Sequence, residues 1–296
     1  MDVVLVVNPF ASSVTAERVE AVEEELGRVG EVRRLLTERP QHGVELAREA
    51  SGADALVVYS GDGGFNEVLN GVEGEIPLGF LPGGGTNVLP RALGLPRDAI
   101  AAARQLADAL EQGRTRRISL GRVNGRRFGF SAGIGFDAQL VRRVNSLGRR
   151  ADGRRPGDLA FIVEALRLVG ERRARFEPAL EIRGLGRAAL ALVANTDPYT
   201  YAGSLPLHFA PQARFELGLD LVAPEEVTPL RVPRLLRFAF LGGGRPADAG
   251  ILAGHDLDLI EIACDRPLPL QADGEDLGDV AEAVCEAERS AVNVLV

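Results

Sequence analysis

The feature that most constrains this chain is a pair of apolar stretches that each end in a run of glycines. Ala55 to Tyr59 leads into Ser60-Gly61-Asp62-Gly63-Gly64, and Pro77 to Leu81 leads into Pro82-Gly83-Gly84-Gly85-Thr86. A helix-like segment follows each run. Glycine lets the backbone turn tightly and approach an anion, and a helix N-terminus attracts negative charge. The pattern predicts two phosphate-binding loops at the carboxyl ends of parallel strands, facing one crevice.

A carboxylate lies inside the first loop. Asp62 can hold the divalent cation that accompanies nucleotide phosphates, because hard cations prefer oxygen ligands. A turn that only joins a strand to a helix is the competing interpretation of either loop taken alone.

The composition argues against several classes of function and of binding site. The sequence contains no lysine, which excludes a GxxxxGK[ST] phosphate loop and Schiff-base chemistry. A net charge of −8 argues against a nucleic-acid binder. Cys264 and Cys285 are the only cysteines, so neither a disulfide framework nor a zinc site is indicated.

Hydrophobic periodicity predicts two domains. Residues 1–116 alternate strands and helices, which indicates a doubly wound α/β nucleotide-binding domain. Residues 117–296 favour a mainly antiparallel β-sandwich for lipid binding, with a hairpin at Asn124-Gly125 and a helical insertion near Leu159 to Val169. Further extended stretches are predicted at Ala188–Ala194, Leu219–Ala223, Asp256–Ala263 and Ala291–Val296, the last also being a candidate to pack back on the first domain.

The first residues and the lengths of the apolar runs indicate where in the cell we expect the protein. No apolar run approaches the roughly 18 residues that span a bilayer, and Met1 to Phe10 lacks a basic leader. We therefore expect a cytoplasmic protein. Its oligomeric state, including a homodimer, is left open by the sequence.

Seven motifs occur in an order that resembles a known family. They are Asn8-Pro9, Thr37, SGDGGFNEVLNG (60–71), LPGGGTNVLPRALGLP (81–96), AGIGFDA (132–138), YAGS (201–204) and Asp273-Gly274-Glu275. Together they cover almost the whole chain. The set resembles the diacylglycerol kinase catalytic domain family, which includes bacterial lipid kinases and the related sphingosine and ceramide kinases.

The resemblance implies a reaction and assigns residues to it. The enzyme would transfer the γ-phosphoryl group of ATP to a lipid hydroxyl, diacylglycerol-like, in a cleft between the two domains, with Mg²⁺ as the metal. Glu275 would be the general base, and Asp62 would act in catalysis and bind the metal. The nucleotide contacts implied are Asn8, Ser12, Thr37, Gly61, Asp62, Gly63, Gly64, Asn66, Glu67, Gly84, Gly85 and Thr86.

Two of these assignments have plainer interpretations. Glu67 lies one turn inside the helix that follows the loop, where capping alone explains a carboxylate. Asp273-Gly274-Glu275 also reads as an acidic surface turn.

The chain departs from the family at several positions. The family usually has threonine where Gly64 stands, so the hydroxyl is lost there, and Val88 replaces a usual aspartate. Thr86 is displaced by one place. Leu217 replaces an aspartate before Gly218, which puts a metal site there in question and leaves Asp220 as the nearest candidate ligand.

A lipid acceptor implies contact with a membrane surface, and two segments suit it. One is an arginine cluster made of Arg142, Arg143, Arg149, Arg150, Arg154, Arg155, Arg172, Arg173 and Arg175, and the other is the amphipathic segment Leu230 to Leu241. A solvated helix face and a helix packed on its own domain are the respective alternatives.

Two other functions remain open. An NAD kinase shares the Gly-Gly-Asp-Gly type of loop but phosphorylates a soluble ribose hydroxyl. A nucleotide-binding regulatory protein that has lost catalysis would explain the replacements at Gly64, Gly85 and Val88. The nature of the labelled product, and ATP binding without turnover, would distinguish these functions from a lipid kinase.

Overall fold

Met1–Ile118 and Ser290–Val296 form one unit of the chain, unit 1, and Ser119–Arg289 form the other, unit 2. The computed structural model describes residues 1–148, 158–202, 205–241 and 250–296. Within these residues, no helix is both long and apolar enough to cross a membrane.

Unit 1 alternates strands and helices along the chain. Its elements are β1 (Asp2–Val7), α1 (Ala16–Gly27), β2 (Glu31–Leu36), α2 (His42–Glu49), β3 (Ala55–Ser60), α3 (Asp62–Gly71), β4 (Leu78–Pro82), α4 (Val88–Ala92) and α5 (Ala99–Glu111). The strands pair in the order β2-β1-β3-β4, all parallel. Strand β16 (Glu275–Leu295) ends in this unit, where Val294 pairs in parallel with Leu78.

The sheet of unit 1 is covered on both faces. In β1, Val3 to Val7 are each no more than 1% exposed, which explains why the strand is a continuous apolar run and not an alternating one. Strand β2 lies at the edge and is largely exposed. Thr15 caps α1, because its hydroxyl accepts a hydrogen bond from the Arg18 N–H at 3.3 Å.

Unit 2 is mainly antiparallel. Its elements are β5 (Thr115–Val123), which begins in unit 1, β6 (Arg126–Phe128), β7 (Ser131–Ile134), α6 (Phe136–Ser146), α7 (Asp158–Glu171), β8 (Leu180–Ile182), β9 (Gly186–Ala188), β10 (Ala191–Ala194), β11 (Thr200–Ala202), β12 (Leu205–Leu207), β13 (Leu219–Pro224), α8 (Val232–Leu241), β14 (Ile251–Leu257), β15 (Leu259–Ala272) and most of β16. The main sheet runs β14-β13-β10-β7-β15-β16, with every neighbouring pair antiparallel.

Both faces of this sheet carry a core. Ala191 and Val193 of β10 join a cluster with Ile262 and Leu270, which come from the two halves of β15. The alternate residues of β10 face a second cluster that includes Phe238 of α8. The predicted mixed α/β class with a mainly antiparallel C-terminal part is confirmed.

Two predicted strands are each divided in the structure. Ala188–Ala194 splits because β9 pairs with β8, whereas β10 pairs with β7 and β13. Asp256–Ala263 splits because β14 ends at Leu257 and β15 begins at Leu259, with Asp256 at a φ of 56°. Hydrophobic patterning does not record a change of pairing partner. The hairpin at Asn124-Gly125 and the helix over Leu159 to Val169 are present as predicted.

Helices α2 and α3 pack so closely that a glycine is required between them. A Cβ atom on Gly71 would lie 2.2 Å from the carbonyl oxygen of Val44, far inside contact distance. At Gly27, which likewise ends a helix, a Cβ would meet nothing within 4 Å.

This contrast predicts opposite effects of one substitution. Gly71→Ala should destabilise unit 1 by about 1–3 kcal/mol through overpacking. Gly27→Ala should be neutral or slightly stabilising, since alanine favours a helix over glycine. Denaturant unfolding of both variants checks this, and equal stability of the two would contradict the packing described here.

Candidate active site

Three strand ends of unit 1 converge on one point. Asn8 directly follows β1, Ser60 ends β3, and Gly83 follows β4. The Asn8 side-chain amide donates to the Ser60 hydroxyl at 3.1 Å, and the Gly83 N–H donates to the Ser60 carbonyl at 2.7 Å. Both glycine loops therefore lie at the same edge of the parallel sheet, as the sequence predicts.

The two glycine loops touch through their backbones. A Cβ on Gly84 would lie 2.8 Å from the Gly61 Cα, and a Cβ on Gly61 would lie 3.2 Å from the Gly84 Cα. Gly85 differs, because a Cβ there would meet nothing within 4 Å and the residue is exposed. Packing thus explains why residues 61 and 84 are glycines. Packing does not explain the glycine at 85, whose backbone is accessible and of the kind that an anion can approach.

Asn87, which is not among the residues predicted from the sequence, closes the second loop. Its side-chain oxygen accepts from the Gly84 N–H, and its side-chain amide donates to the Gly84 carbonyl, both at 2.8 Å. Gly84 was predicted as a nucleotide contact, yet its backbone N–H already has a partner. An asparagine two or three residues after a glycine run is the signal that could have predicted this closure.

Asp62 belongs to the first loop and is the first residue of α3. It is partly exposed, and its carboxylate accepts a hydrogen bond of 3.4 Å from the Leu89 N–H near the start of α4. A carboxylate beside glycine backbone at a helix N-terminus has the donor type that Mg²⁺ takes when it bridges protein and phosphate. The residues present therefore fit a Mg²⁺-nucleotide phosphate group.

The remaining predicted nucleotide contacts differ in their exposure. Ser12 is exposed and Thr86 partly so, whereas Thr37 is 8% exposed and Asn66 is fully buried. Glu67 accepts from the backbone N–H groups of Gln41 and Gly43, each at 3.0 Å. It caps α2 from a neighbouring helix, so a structural role accounts for this carboxylate. Its contact with a nucleotide stays a prediction.

In unit 2, Asp273 and Gly274 form a tight turn that joins β15 to β16. Their φ values are 49° and 78°, the left-handed pair that a two-residue hairpin turn requires. Asp273 is 4% exposed, and its carboxylate accepts from the N–H groups of Gly129, Phe130 and Ser131 at 2.6, 3.0 and 3.1 Å. The predicted alternative of an acidic surface turn is thus wrong for Asp273, because three backbone donors stabilise its burial.

Glu275 follows this turn and forms an ion pair. The Arg126 guanidinium donates to its carboxylate at 2.7 Å, and both side chains are about three-quarters buried, with 24% and 21% of their side-chain surface exposed. Arg126 is not among the residues predicted from the sequence. A guanidinium on a carboxylate fixes its position more firmly than solvent does.

A buried polar network supports the same turn from the other side. The Gln271 side-chain oxygen accepts from the Gly274 N–H at 2.8 Å, and its amide donates to Asp137 at 2.7 Å. The Tyr199 hydroxyl also donates to Asp137, at 2.8 Å. Burial raises the pKa of the Asp137 carboxyl, although the hydrogen bonds from Tyr199 and Gln271 act to lower it. Burial, and then the neighbouring Asp137, raise the pKa of Tyr199 well above its usual value.

Asp220, the second predicted metal ligand, lies on β13 and is 3% exposed. One carboxylate oxygen bonds the His255 ring nitrogen at 2.8 Å and accepts from the Asp256 N–H at 3.0 Å. Across the described ranges, no group of three or more His, Cys, Asp and Glu side chains has a metal-binding arrangement. A metal at Asp220 stays a prediction.

Because Asp273 is buried, we expect its removal to lower the stability of unit 2. Asp273→Ala should destabilise unit 2 by about 3 kcal/mol or more, because buried N–H groups lose a charged acceptor. Asp258→Ala removes an exposed carboxylate from the same unit and should cost less than about 1 kcal/mol. Thermal or denaturant unfolding measures both, and similar costs would contradict the buried role.

The family model described as "Diacylglycerol kinase catalytic domain" matches residues 2–123. A Bacillus subtilis protein named "Diacylglycerol kinase" is 41% identical over 96 residues, which cover 31% of this chain and 31% of that protein, so the chain matches about a third of its length. A Chromohalobacter salexigens protein named "Probable lipid kinase YegS-like" is 30% identical over 267 residues, covering 86% of this chain and 82% of that protein.

Solved structures share the fold. A diacylglycerol kinase from Bacillus anthracis superposes with a TM-score of 0.72 at 18% identity, covering 99% of this chain and 96% of that chain. An NAD kinase from Archaeoglobus fulgidus, solved in complex with ATP, gives a TM-score of 0.54 at 16% identity and covers 99% and 93%. Because the Chromohalobacter salexigens protein matches this chain over 267 residues, and the family model matches residues 2–123, the chain belongs to the family of lipid kinases that carry the diacylglycerol kinase catalytic domain.

Proposed function

We propose that this protein transfers the γ-phosphoryl group of ATP to the hydroxyl of a lipid, with diacylglycerol as the model acceptor. The observation that carries the proposal is the junction of the two glycine loops at the ends of β3 and β4, with Asp62 in the first of them. Family membership supports a kinase, and the ATP complex of a structural neighbour supports ATP as the donor.

The nucleotide half of the reaction is assigned to unit 1. Asn8, the loop from Gly61 to Gly64, Gly85 and Thr86 would line the phosphates, and Asp62 would hold Mg²⁺. The metal supplies charge neutralisation on the transferred phosphoryl group. Because phosphoryl transfer asks the protein mainly for alignment, loops held in place by Asn87 and by backbone contact suit the task.

The acceptor half is assigned to Glu275. As general base, its carboxylate would take the proton of the lipid hydroxyl, a contribution on the order of 10²- to 10⁴-fold. Arg126 holds the carboxylate, and the buried Asp273 fixes the turn that presents it. These contacts give the base a defined position before substrate binds.

NAD kinase activity is the second candidate, since one structural neighbour bears that name. It differs in the acceptor, which would be a soluble ribose hydroxyl and not a lipid. A catalytically inactive nucleotide-binding protein is the third, motivated by Gly64, Gly85 and Val88. A transfer assay, combined with a measurement of ATP binding, separates all three.

The assay offers γ-labelled ATP and Mg²⁺ with total lipid extract and NAD together. We expect label in the organic phase, and thin-layer separation would identify the acceptor. Asp62→Asn should lower transfer by about 10²-fold or more by removing the metal ligand charge, while keeping an acceptor for the Leu89 N–H. Glu275→Gln should lower kcat by about 10²-fold with little change in ATP binding.

Two variants serve as matched controls. Asp54→Asn removes an exposed carboxylate at the opposite, amino end of β3, and Glu282→Gln removes an exposed carboxylate from β16. Both should retain wild-type transfer.

Three outcomes would contradict the proposal. Label found only in the NAD product would favour an NAD kinase. ATP binding without any labelled product would favour an inactive nucleotide-binding protein, and a fully active Asp62→Asn variant would refute the role of Asp62.

Membrane contact is part of the proposal, and we assign it to the second of the two predicted segments because that segment exposes leucines beside its arginines. In the arginine cluster, Arg142 is paired with Asp276 and Asp279, and Arg143 with Glu171, so these two charges are already neutralised. Arg172, Arg173 and Arg175 are exposed and form no ion pair with another described residue. Arg149, Arg150, Arg154 and Arg155 lie outside the described residues.

Helix α8 instead presents exposed apolar and basic side chains. Leu230 just before it is 89% exposed and Leu236 is 52% exposed, while Phe238 packs inward. Arg234 and Arg237 are exposed, and neither forms an ion pair with another described residue. Leucines flanked by arginines suit the surface of a membrane rich in anionic lipid.

A vesicle assay tests this surface. Leu230→Ser/Leu236→Ser should weaken sedimentation with phosphatidylglycerol-containing vesicles by about fivefold or more, because each leucine contributes buried apolar area. Leu166→Ser changes an exposed leucine of α7, 68% exposed, and should bind like the wild type. Wild-type binding of the Leu230→Ser/Leu236→Ser variant would exclude α8 as the membrane contact.

A further inference from the structure

Ser60 lies at the centre of the strand ends in unit 1, yet no role has been assigned to it. It is the last residue of β3 and is 1% exposed. Its carbonyl accepts from Gly83 of the second loop, and its hydroxyl accepts from the side-chain amide of Asn8. A single buried serine thus joins the ends of three strands.

The Ser60 side chain fills the place where a side chain at residue 64 would begin. A Cβ on Gly64 would lie 2.1 Å from the Ser60 Oγ and 2.7 Å from its Cβ. Rotation of the hydroxyl cannot relieve the second contact, because the backbone fixes the Cβ. Serine at 60 therefore requires glycine at 64.

Asn8 is held at both ends of its side-chain amide. Its nitrogen donates to the Ser60 Oγ at 3.1 Å, and its oxygen accepts from the Phe10 N–H at 3.0 Å. The Ser60 hydroxyl accepts in this contact, so its own proton remains for a further acceptor. The arrangement fixes a polar side chain and a hydroxyl beside the first turn of α3.

We propose that Ser60 is a positioning residue of the nucleotide site, which orients Asn8 and supplies the hydroxyl that the sequence lacks at residue 64. The inference rests on the proposed function of unit 1 as the ATP-binding part. The hydroxyl is not lost from the loop, since it is carried by the preceding strand in the volume next to Gly64. The replacement of threonine by glycine at 64 is then no sign of an inactive enzyme.

Variants at residues 60 and 64 test the pair through binding, kinetics and stability. Ser60→Ala should raise the Kd and the KM for MgATP by about fivefold, the effect of losing one partly buried hydrogen bond, with less than twofold change in kcat. Gly64→Ala should lower the melting temperature by several degrees through contact with Ser60. Ser60→Gly/Gly64→Thr, which places the hydroxyl on residue 64, should restore MgATP affinity to within about twofold of the wild type.

Ser51→Ala is the matched control, because Ser51 is exposed in the same unit and its substitution should leave all three measurements unchanged. The proposal is overturned if Ser60→Ala binds MgATP as the wild type does, if Gly64→Ala is as stable as the wild type, or if the double variant binds no better than Ser60→Gly. Wild-type protein that binds no MgATP would overturn the proposed function itself, a result distinct from these three.

Discussion

The backbone contact between Gly61 and Gly84 is the constraint on which the candidate nucleotide site depends. Two loops can meet at this distance only where neither carries a side chain, and the bond from Gly83 to the Ser60 carbonyl sets their register. Asp62 lies next to Gly61, Asn87 closes the second loop on Gly84, and Asn8 contacts Ser60, so these three side chains are grouped around that meeting point. Parallel strands make it possible, since their carboxyl ends lie along one edge of the sheet.

In unit 2, a set of polar contacts holds the short turn at Asp273-Gly274 in place. Asp273 is buried against three backbone donors, Gln271 binds the Gly274 N–H, and Arg126 pairs with Glu275. Burial of a carboxylate is costly unless its oxygens are satisfied, and three N–H groups satisfy this one. The result is a carboxylate at Glu275 whose position is set by the fold, and not by substrate alone.

Several elements were predictable because their signals are local. Strand β3 over Ala55–Ser60 and the hairpin at Asn124-Gly125 agree with the sequence, since an apolar run and an asparagine-glycine turn encode them directly. The division of Ala188–Ala194 between two strands was not predictable, because it reflects which strand each half pairs with. Glu67 likewise caps a helix 24 residues away, a contact that neighbouring residues do not signal.

The sequence by itself determined the alternation of strands and helices, the two glycine loops and the ordered motifs that place the chain in its family. Those properties depend on periodicity and on residues close together in the chain. Only the tertiary structure decided that Ser60 occupies the space beside Gly64, that Asp273 is buried and that Arg126 holds Glu275. Each of these is a contact between residues whose distance in space, and not along the chain, sets the interaction energy, so no local pattern records it.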